Sequence, residues 1–504
     1  MADFIRGRLN RLVETRDINA KKDILTKVKI KLETVHQREI QEVARNFDLL
    51  QLFCQLTSND REVVERTCDV LNSFIGALDA GEVHQRYPAA FCRCITHSDS
   101  VVKTVVLKEM LRTVSDPSGV SQLLKDSEML YTIAETIGEE DLEIAQLALE
   151  IIKKVGETPE GLKTLYSGQL LRVFGRLLAK NDTFSFRIYE FIIAVSMKSK
   201  EALEASAQSG LLYSLLLVLD NEDVLLQLNA LELLTQLALT SDGLDYLESQ
   251  NVLSKLSEKI VSANENPLSN LLIPGLMKFF GKVTRYKPNE ILSKYPAVVT
   301  ALFEVLNSED VIILSDALDT LGHICSNVEG KYALESFGDC MPNAIKKISE
   351  LIRDSPAELR ICALNCLTLI LDVKKPEQDN RILTVTKSWF DLLGEDPLDI
   401  IIPLCRQPFS DIRQASLEVL AVIASQTWGQ ECIAGYPGLT EFLLDRNTET
   451  YKECKEIKYG IIKSLSQAEP DIFDANTMQR FAQFISEGPF FVETDVSVTT
   501  EGAV

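Results

Sequence analysis

The sequence predicts an all-α fold built from one unit repeated about ten times, and three observations carry that prediction. Apolar residues recur in blocks at helical spacing, the blocks return with a period of roughly forty residues, and a glycine returns in phase with them. The clearest block begins at Asp223. With that residue as offset zero, Leu226, Ala230, Leu233, Leu234 and Leu237 stand at +3, +7, +10, +11 and +14, and Gly243 at +20. A helix, a glycine break and a second helical segment follow from this spacing.

The same template falls on Asp60, Asp99, Asp141, Asp182, Asp223, Asn266, Asp310, Pro356 and Pro408, at steps of 39 to 52 residues. Gly119, Gly161, Gly243 and Gly330 share offset +20, while Gly81 and Gly429 come one residue later. A unit of this size cannot bury its apolar face alone, so it stacks on its neighbours. The expected architecture is an armadillo/HEAT-like α-solenoid, one superhelix of stacked repeats.

Taken in order, residues 1–57 have Ile24, Leu25, Val28 and Leu32 at helical spacing and form atypical N-terminal capping helices. Residues 58–485 form the repeat solenoid. Asp99, Asp141, Asp182 and Asp223 each precede a helix, where a carboxylate caps free N–H groups. In the middle unit, Asn264–Pro267 reads as a turn, and Pro274 with Gly275 and Gly281 predicts a kink or a close backbone approach. Later units carry an insertion at residues 373–380 and a further helix at residues 451–465. Residues 486–504 end in an acidic tail without Lys or Arg, expected to be disordered.

Charge narrows the partners. Asp plus Glu number 74 against 52 Lys plus Arg, a net charge of −22 in 504 residues. Such a surface repels phosphate backbones and anionic lipid, which argues against nucleic-acid or membrane binding. Eleven cysteines without regular pairing read as small core residues of a reducing compartment. No apolar leader or bilayer-length stretch is seen, so a cytoplasmic protein is expected, with nuclear entry open and a monomer as the free state.

No motif of catalysis emerges. Gly275 to Thr284 resembles a phosphate loop only superficially, with five residues between the glycines and Val283 after Lys282. Cys92 and Cys94 lie about 200° apart on a helix and cannot share a metal with His84 or His97. Cys362 and Cys366 share a face, but no further ligand is near in sequence. With four histidines and no nucleophile or dinucleotide motif, the chain reads as a non-enzyme needing no cofactor or metal.

A binding strip is the alternative to chemistry. Offsets +2, +9 and +13 point away from the core of each anchor helix, and in armadillo-like units that helix lines the concave surface. At +9 and +13 the units present Asp69 and Ser73, Lys108 and Arg112, Glu150 and Lys154, Phe191 and Val195, Glu232 and Gln236, Gly275 and Phe279, Asp319 and His323, and Asn365 and Leu369. The expectation is a protein-binding groove in which Phe191, Val195 and Phe279 form a central apolar anchor between charges that set register.

The irregular segments carry a resemblance. Residues 273–281, Ser326-Asn327-Val328-Glu329-Gly330-Lys331, Trp389-Phe390 with Asp396-Pro397-Leu398, Gln407-Pro408-Phe409 and Ser486-Glu487-Gly488-Pro489-Phe490-Phe491 resemble, in order, the 26S proteasome non-ATPase regulatory subunit 5 family. That resemblance implies a chaperone for assembly of the base of the proteasome regulatory particle. It implies binding to the C-terminal domain of a base ATPase, regulatory subunit 7, in a module with a neighbouring ATPase and a large non-ATPase subunit. The chaperone leaves before the mature particle forms. It transfers no individual contact residue, so the ladder rests on helix geometry. A generic armadillo adaptor, in transport or phosphatase scaffolding, is the alternative reading.

Overall fold

The computed structural model describes residues 2–262 and 269–492. The Asn266 anchor, the Asn264–Pro267 turn and the tail from residue 493 lie outside the described residues. Among the described residues every regular element is a helix.

Two compact units divide the chain, Met1–Glu222 and Asp223–Val504. In the first, the anchor helices are α1 (Ile18–Thr34), α2 (Arg61–Ala77), α3 (Ser100–Thr113), α4 (Leu142–Gly156) and α5 (Asp182–Ser196). Each packs on the next, so α1 of the N-terminal segment occupies the same row as the repeats that follow. In the second unit, α6 (Val224–Leu237), α7 (Ile273–Val283), α8 (Val311–Ile324), α9 (Ala357–Leu371), α10 (Ser410–Ala424) and α11 (Lys452–Leu465) stack in the same way.

The repeat holds three helices rather than two. After α3 come Pro117–Lys125 and Ser127–Thr136; after α4 come Pro159–Leu165 and Gly168–Leu178. These shorter helices form rows of their own, with Pro117–Lys125 against Pro159–Leu165 and Ser127–Thr136 against Gly168–Leu178. Three stacked rows are the architecture of an α-solenoid.

Five of the six in-phase glycines break nothing, whereas Gly81, left-handed at φ 79°, stands before the helix that follows it. Gly119, Gly161, Gly243, Gly330 and Gly429 are each the third residue of the short helix that follows an anchor helix. A Cβ there would strike the backbone carbonyl of Thr113, Val155, Leu237, Ile324 or Ile423, the residue six positions back, far inside normal contact. The chain therefore turns from one helix into the next with backbone against backbone, which only glycine permits. The turn is capped as well: Gly161 and Gly243 donate their N–H groups to the hydroxyls of Thr158 and Thr240, both at 3.1 Å, and Gly330 to Asn327 Oδ1 at 2.7 Å.

Pro274 makes no kink; the other expectation, a close backbone approach, is met at Gly281, where a Cβ would stand 3.2 Å from the Thr320 Cα. A 3-10 turn, Ser269–Leu272, runs directly into α7, and Pro274 stands in its first turn, where no intrahelical N–H bond is lost. Gly281 lies inside α7 with Thr320 of α8 against it, so the apparent phosphate loop is continuous helix. Residues 486–492, placed in the tail by sequence, contain the end of the Ala475–Glu487 helix; Arg446 donates to the Gly488 carbonyl at 2.7 Å and covers the Phe484 ring at 3.7 Å.

Basic side chains recur as clasps between neighbouring repeats. Arg112 donates to the carbonyls of Ile75 and Leu78 at 2.7 and 2.8 Å, Arg187 to those of Ile137 and Glu139 at 2.9 and 2.6 Å, and Arg353 to that of Leu393 at 3.0 Å. Lys331, fully buried, reaches the carbonyls of Leu369, at 2.8 Å, and Cys325. Carbonyls left open in one repeat are closed by a cation of another, Arg112 and Arg187 reaching back along the chain and Lys331 and Arg353 forward.

Candidate functional site

The outward face of the anchor helices is set by their true starting residues. α5 is capped by Asn181, whose side chain accepts from the Phe184 N–H at 2.9 Å, and not by Asp182. Counted from Asn181, the core offsets fall on Phe184, Ile188, Phe191, Ile192 and Val195, all buried. Phe191 is therefore a core residue, its ring 5.2 Å from that of Phe174, and the outward position belongs to the exposed Glu190.

The same slip affects Phe279. Counted from the start of the 3-10 turn at residue 269, the core offsets of the α7 repeat fall on Leu272, Leu276, Phe279, Phe280 and Val283, each buried. Phe279 stands edge-on to Phe280 at 5.3 Å, and Lys278 points outward instead. The apolar anchor expected at Phe191, Val195 and Phe279 is thus absorbed into the core. A third shift, to Phe409 as the start of α10, makes Glu418 its outward residue and brings Gly429 to +20.

Among the charged rungs, the first unit ties its residues together. Asp69 pairs with Lys29 at 2.7 Å, Lys108 with Glu143 at 3.1 Å, and Lys154 with Glu157 at 3.2 Å. Glu150 and Glu190 share Lys153, each at 2.9 Å. Arg112 pairs with the buried Glu109 at 2.7 Å as well as clasping α2, so it is a structural cation rather than a free groove residue.

The second unit differs. Glu232, Asp319, His323 and Asn365 are exposed and Gln236 half-exposed, and among the described residues Glu232, Lys278, Lys282 and Asp319 form no ion pair. Lys278 and Lys282 on α7 face Asp316, Asp319 and His323 on α8 across a notch of about 50 Å³. Partial loss of solvent at the notch raises the Asp319 carboxyl above its usual range although its side chain remains exposed on the outer side; the Asp316 charge adds to the rise, and His323 and Lys278 oppose it. His323 is also held to its own helix, Nδ1 lying 2.6 Å from the Asp319 carbonyl oxygen.

Offset +2 supplies what Phe191 and Phe279 did not. In three successive repeats it holds Leu225, Leu271 and Ile312, which are 70%, 59% and 74% exposed. In α9 and α10 the same position holds the exposed Glu358 and Asp411. An apolar strip thus lies beside Glu232, Lys278 and Asp319 on one face.

The signal for these residues was present in the sequence. Anchoring on Asp182 puts Ser185 and Ser196 at core offsets, and anchoring on Asn266 puts residue 269, a serine, at one; both mismatches point to the shifted register. Of the groups weighed as metal ligands, His84 is buried with Nε2 3.0 Å from Asp126, His97 accepts from the Asp99 N–H at 3.0 Å, and Cys366 is buried in the core. No cluster of three His, Cys, Asp or Glu with metal-binding geometry occurs among the described residues. None of the helices described is long and apolar enough to cross a membrane.

Comparison with solved structures places the fold. The chain is similar to Kap121p bound to Nup53p with a TM-score of 0.57 at 12% identity, and to Kap121p alone with 0.52 at 11%; each match covers 96% of this chain and 51% of the other. At those identities the likeness speaks for the stacked-helix fold alone. Sequence comparison goes further. A family described as proteasome non-ATPase 26S subunit matches residues 5–504. The 26S proteasome non-ATPase regulatory subunit 5 of Homo sapiens is 32% identical over 475 residues, 94% of each chain, and that of Bos taurus 33% over the same span. That of Drosophila melanogaster is 30% identical over 444 residues, 87% of this chain and 86% of its own. The chain therefore belongs to the 26S proteasome non-ATPase regulatory subunit 5 family.

Proposed function

We propose that the chain is a chaperone for assembly of the base of the 26S proteasome regulatory particle. It binds the C-terminal domain of one base ATPase, regulatory subunit 7, in a module with a neighbouring ATPase and a large non-ATPase subunit. It leaves before the mature particle forms. The observation that carries this reading is the family match, which runs nearly end to end rather than over one repeat.

The outward face of the second unit supports it. Exposed charges without ion pairs beside exposed apolar side chains suit capture of a folded partner, whereas the charges of the first unit are engaged with one another. The chain acts by binding and performs no turnover; it works as a monomer in the cytoplasm, with the nucleus as a second site.

Affinity isolation of the tagged chain from cell extract tests the proposal. Recovery of base ATPases without the 20S core is expected. Recovery of importins or phosphatase subunits in their place would mean an adaptor, complete 26S particles would remove the early departure, and ATP turnover by the purified chain would make it an enzyme.

A further inference from the structure

The exposed +2 strip has no role in holding the repeats together. Leu225, Leu271 and Ile312 stand on three neighbouring repeats of the second unit, and burying side chains of this size against a partner favours association. Three such residues in register, bounded by the charged Glu358 and Asp411 on the following repeats, form a patch of the kind that marks an interaction site. Helices pack about 8–10 Å apart, so the strip runs roughly 16–20 Å from α6 to α8.

Charge states what covers it. Beside the strip the exposed or half-exposed carboxylates of the second unit include Glu232, Glu309, Asp310, Asp316 and Asp319, against Lys278 and Lys282. At +9 the order across the three helices is acid, base, acid, and none of these residues has an ion pair among the described residues. The equivalent acids of the first unit are neutralised by lysines of their own or an adjoining repeat.

We propose that the strip formed by Leu225, Leu271 and Ile312, with Glu232, Lys278 and Asp319 beside it, docks a protein segment of matching chemistry. That segment presents apolar side chains at its centre, Arg or Lys opposite Glu232 and Asp319, and one carboxylate opposite Lys278. The inference rests on the chaperone reading only for the identity of the partner; the chemistry of the strip stands by itself.

The test uses the full chain and two synthetic helical peptides, both with a leucine face, one flanked by Arg and the other by Glu. The Arg peptide is expected to bind, with affinity that falls as NaCl rises, and the Glu peptide to bind at least about tenfold more weakly. The surface variant L225S/I312S is expected to lose about tenfold or more for the Arg peptide, and E232K/D319K to lose as much and to flatten the salt dependence, with melting temperatures near that of the wild type. Equal binding of both peptides, or binding by both variants within about twofold of wild type, would overturn the strip. A wild-type dimer in sedimentation that L225S/I312S disperses would overturn it in favour of a contact between copies. The purified C-terminal domain of regulatory subunit 7 is then offered as competitor. Displacement of the Arg peptide supports both proposals; failure of that domain to bind the wild type, with the peptide result intact, removes the chaperone reading and leaves the strip.

Discussion

Lys458 shows how one residue can break the repeat's pattern and remain in place. It stands at +7 of the α11 repeat counted from Tyr451, a core position, and is 2% exposed. Its ammonium donates to the Asp445 carbonyl at 2.8 Å and to the Thr448 hydroxyl, lies 3.8 Å from Glu449, and sits 4.4 Å over the Phe442 ring. Glu449 is held in turn by Arg413 at 3.2 Å. Burial pushes the Lys458 pKa down to about 8 from 10.5, against the opposing pull of Glu449. A folded pKa below the unfolded one means that the unfolded chain keeps the proton longer, so stability rises with pH between about 8 and 10.5. Thermal unfolding across that window should show the rise in the wild type and a flatter profile in K458M. Phe279 offers the contrasting case of a residue misassigned to the surface. F279A should cost about 3–5 kcal/mol in denaturant unfolding, because a fully buried ring is removed. Any loss of partner capture in that variant would follow from unfolding, which is why the strip is probed at Leu225 and Ile312.

At the scale of the element, the helix-to-helix turn is the most constrained feature of the repeat. Gly330 donates to its Asn327 cap while its Cα faces the Ile324 carbonyl too closely for any side chain. G330A should gain about 1 kcal/mol of helix propensity and lose more through the clash, for a net loss of about 1–3 kcal/mol. Gly175 lies exposed within the Gly168–Leu178 helix with open space at its Cβ, and G175A should stabilise by about 0.4–1 kcal/mol. Opposite signs in chemical denaturation would separate the glycines of the turn from those of ordinary helix. The anchor caps make a milder claim. Asp310 accepts from the Ile312 and Ile313 N–H groups at 2.9 and 3.3 Å, and D310A should cost about 0.5–2 kcal/mol in the same measurement.

For the whole molecule, contact between nearest neighbours governs how damage spreads. α8 packs on α7 and α9, and stability in such a stack is close to a sum of repeat and interface terms. Hydrogen exchange in G330A should accelerate in α8, in the Val328–Glu335 helix and in the flanking α7 and α9, with α1 and α2 unchanged; uniform acceleration would show that the chain unfolds as one block. The charge balance has its own whole-molecule logic. Several of the 52 basic residues are engaged as clasps on carbonyls, Arg112, Arg187, Lys331 and Arg353 among them, while the 74 acids are mostly surface groups. The net charge of −22 is thus carried largely by the surface.

The period, the anchor caps and the in-phase glycine could be read from the chain because each is a local rule, written within about twenty residues. They determined an all-helical stack and, with the near end-to-end family match, the family. The third helix of the repeat was not legible, since it is marked in the chain only by a turn residue, such as left-handed Gly168, Gly210, Gly338 or Gly438 or Pro296 at a helix start, which apolar periodicity alone does not register. Nor was the outward face: a slip of one residue turns a helix by about 100°, which carried Phe191 to the surface on paper and into the core in fact. Serines that fall at core offsets, Ser185 and Ser196, mark the slip, but packing fixes the rotation, because the cost of exposing a core phenylalanine falls on neighbouring repeats. The same packing decided which charges stay unpaired, and so left Leu225, Leu271 and Ile312 facing outward beside them.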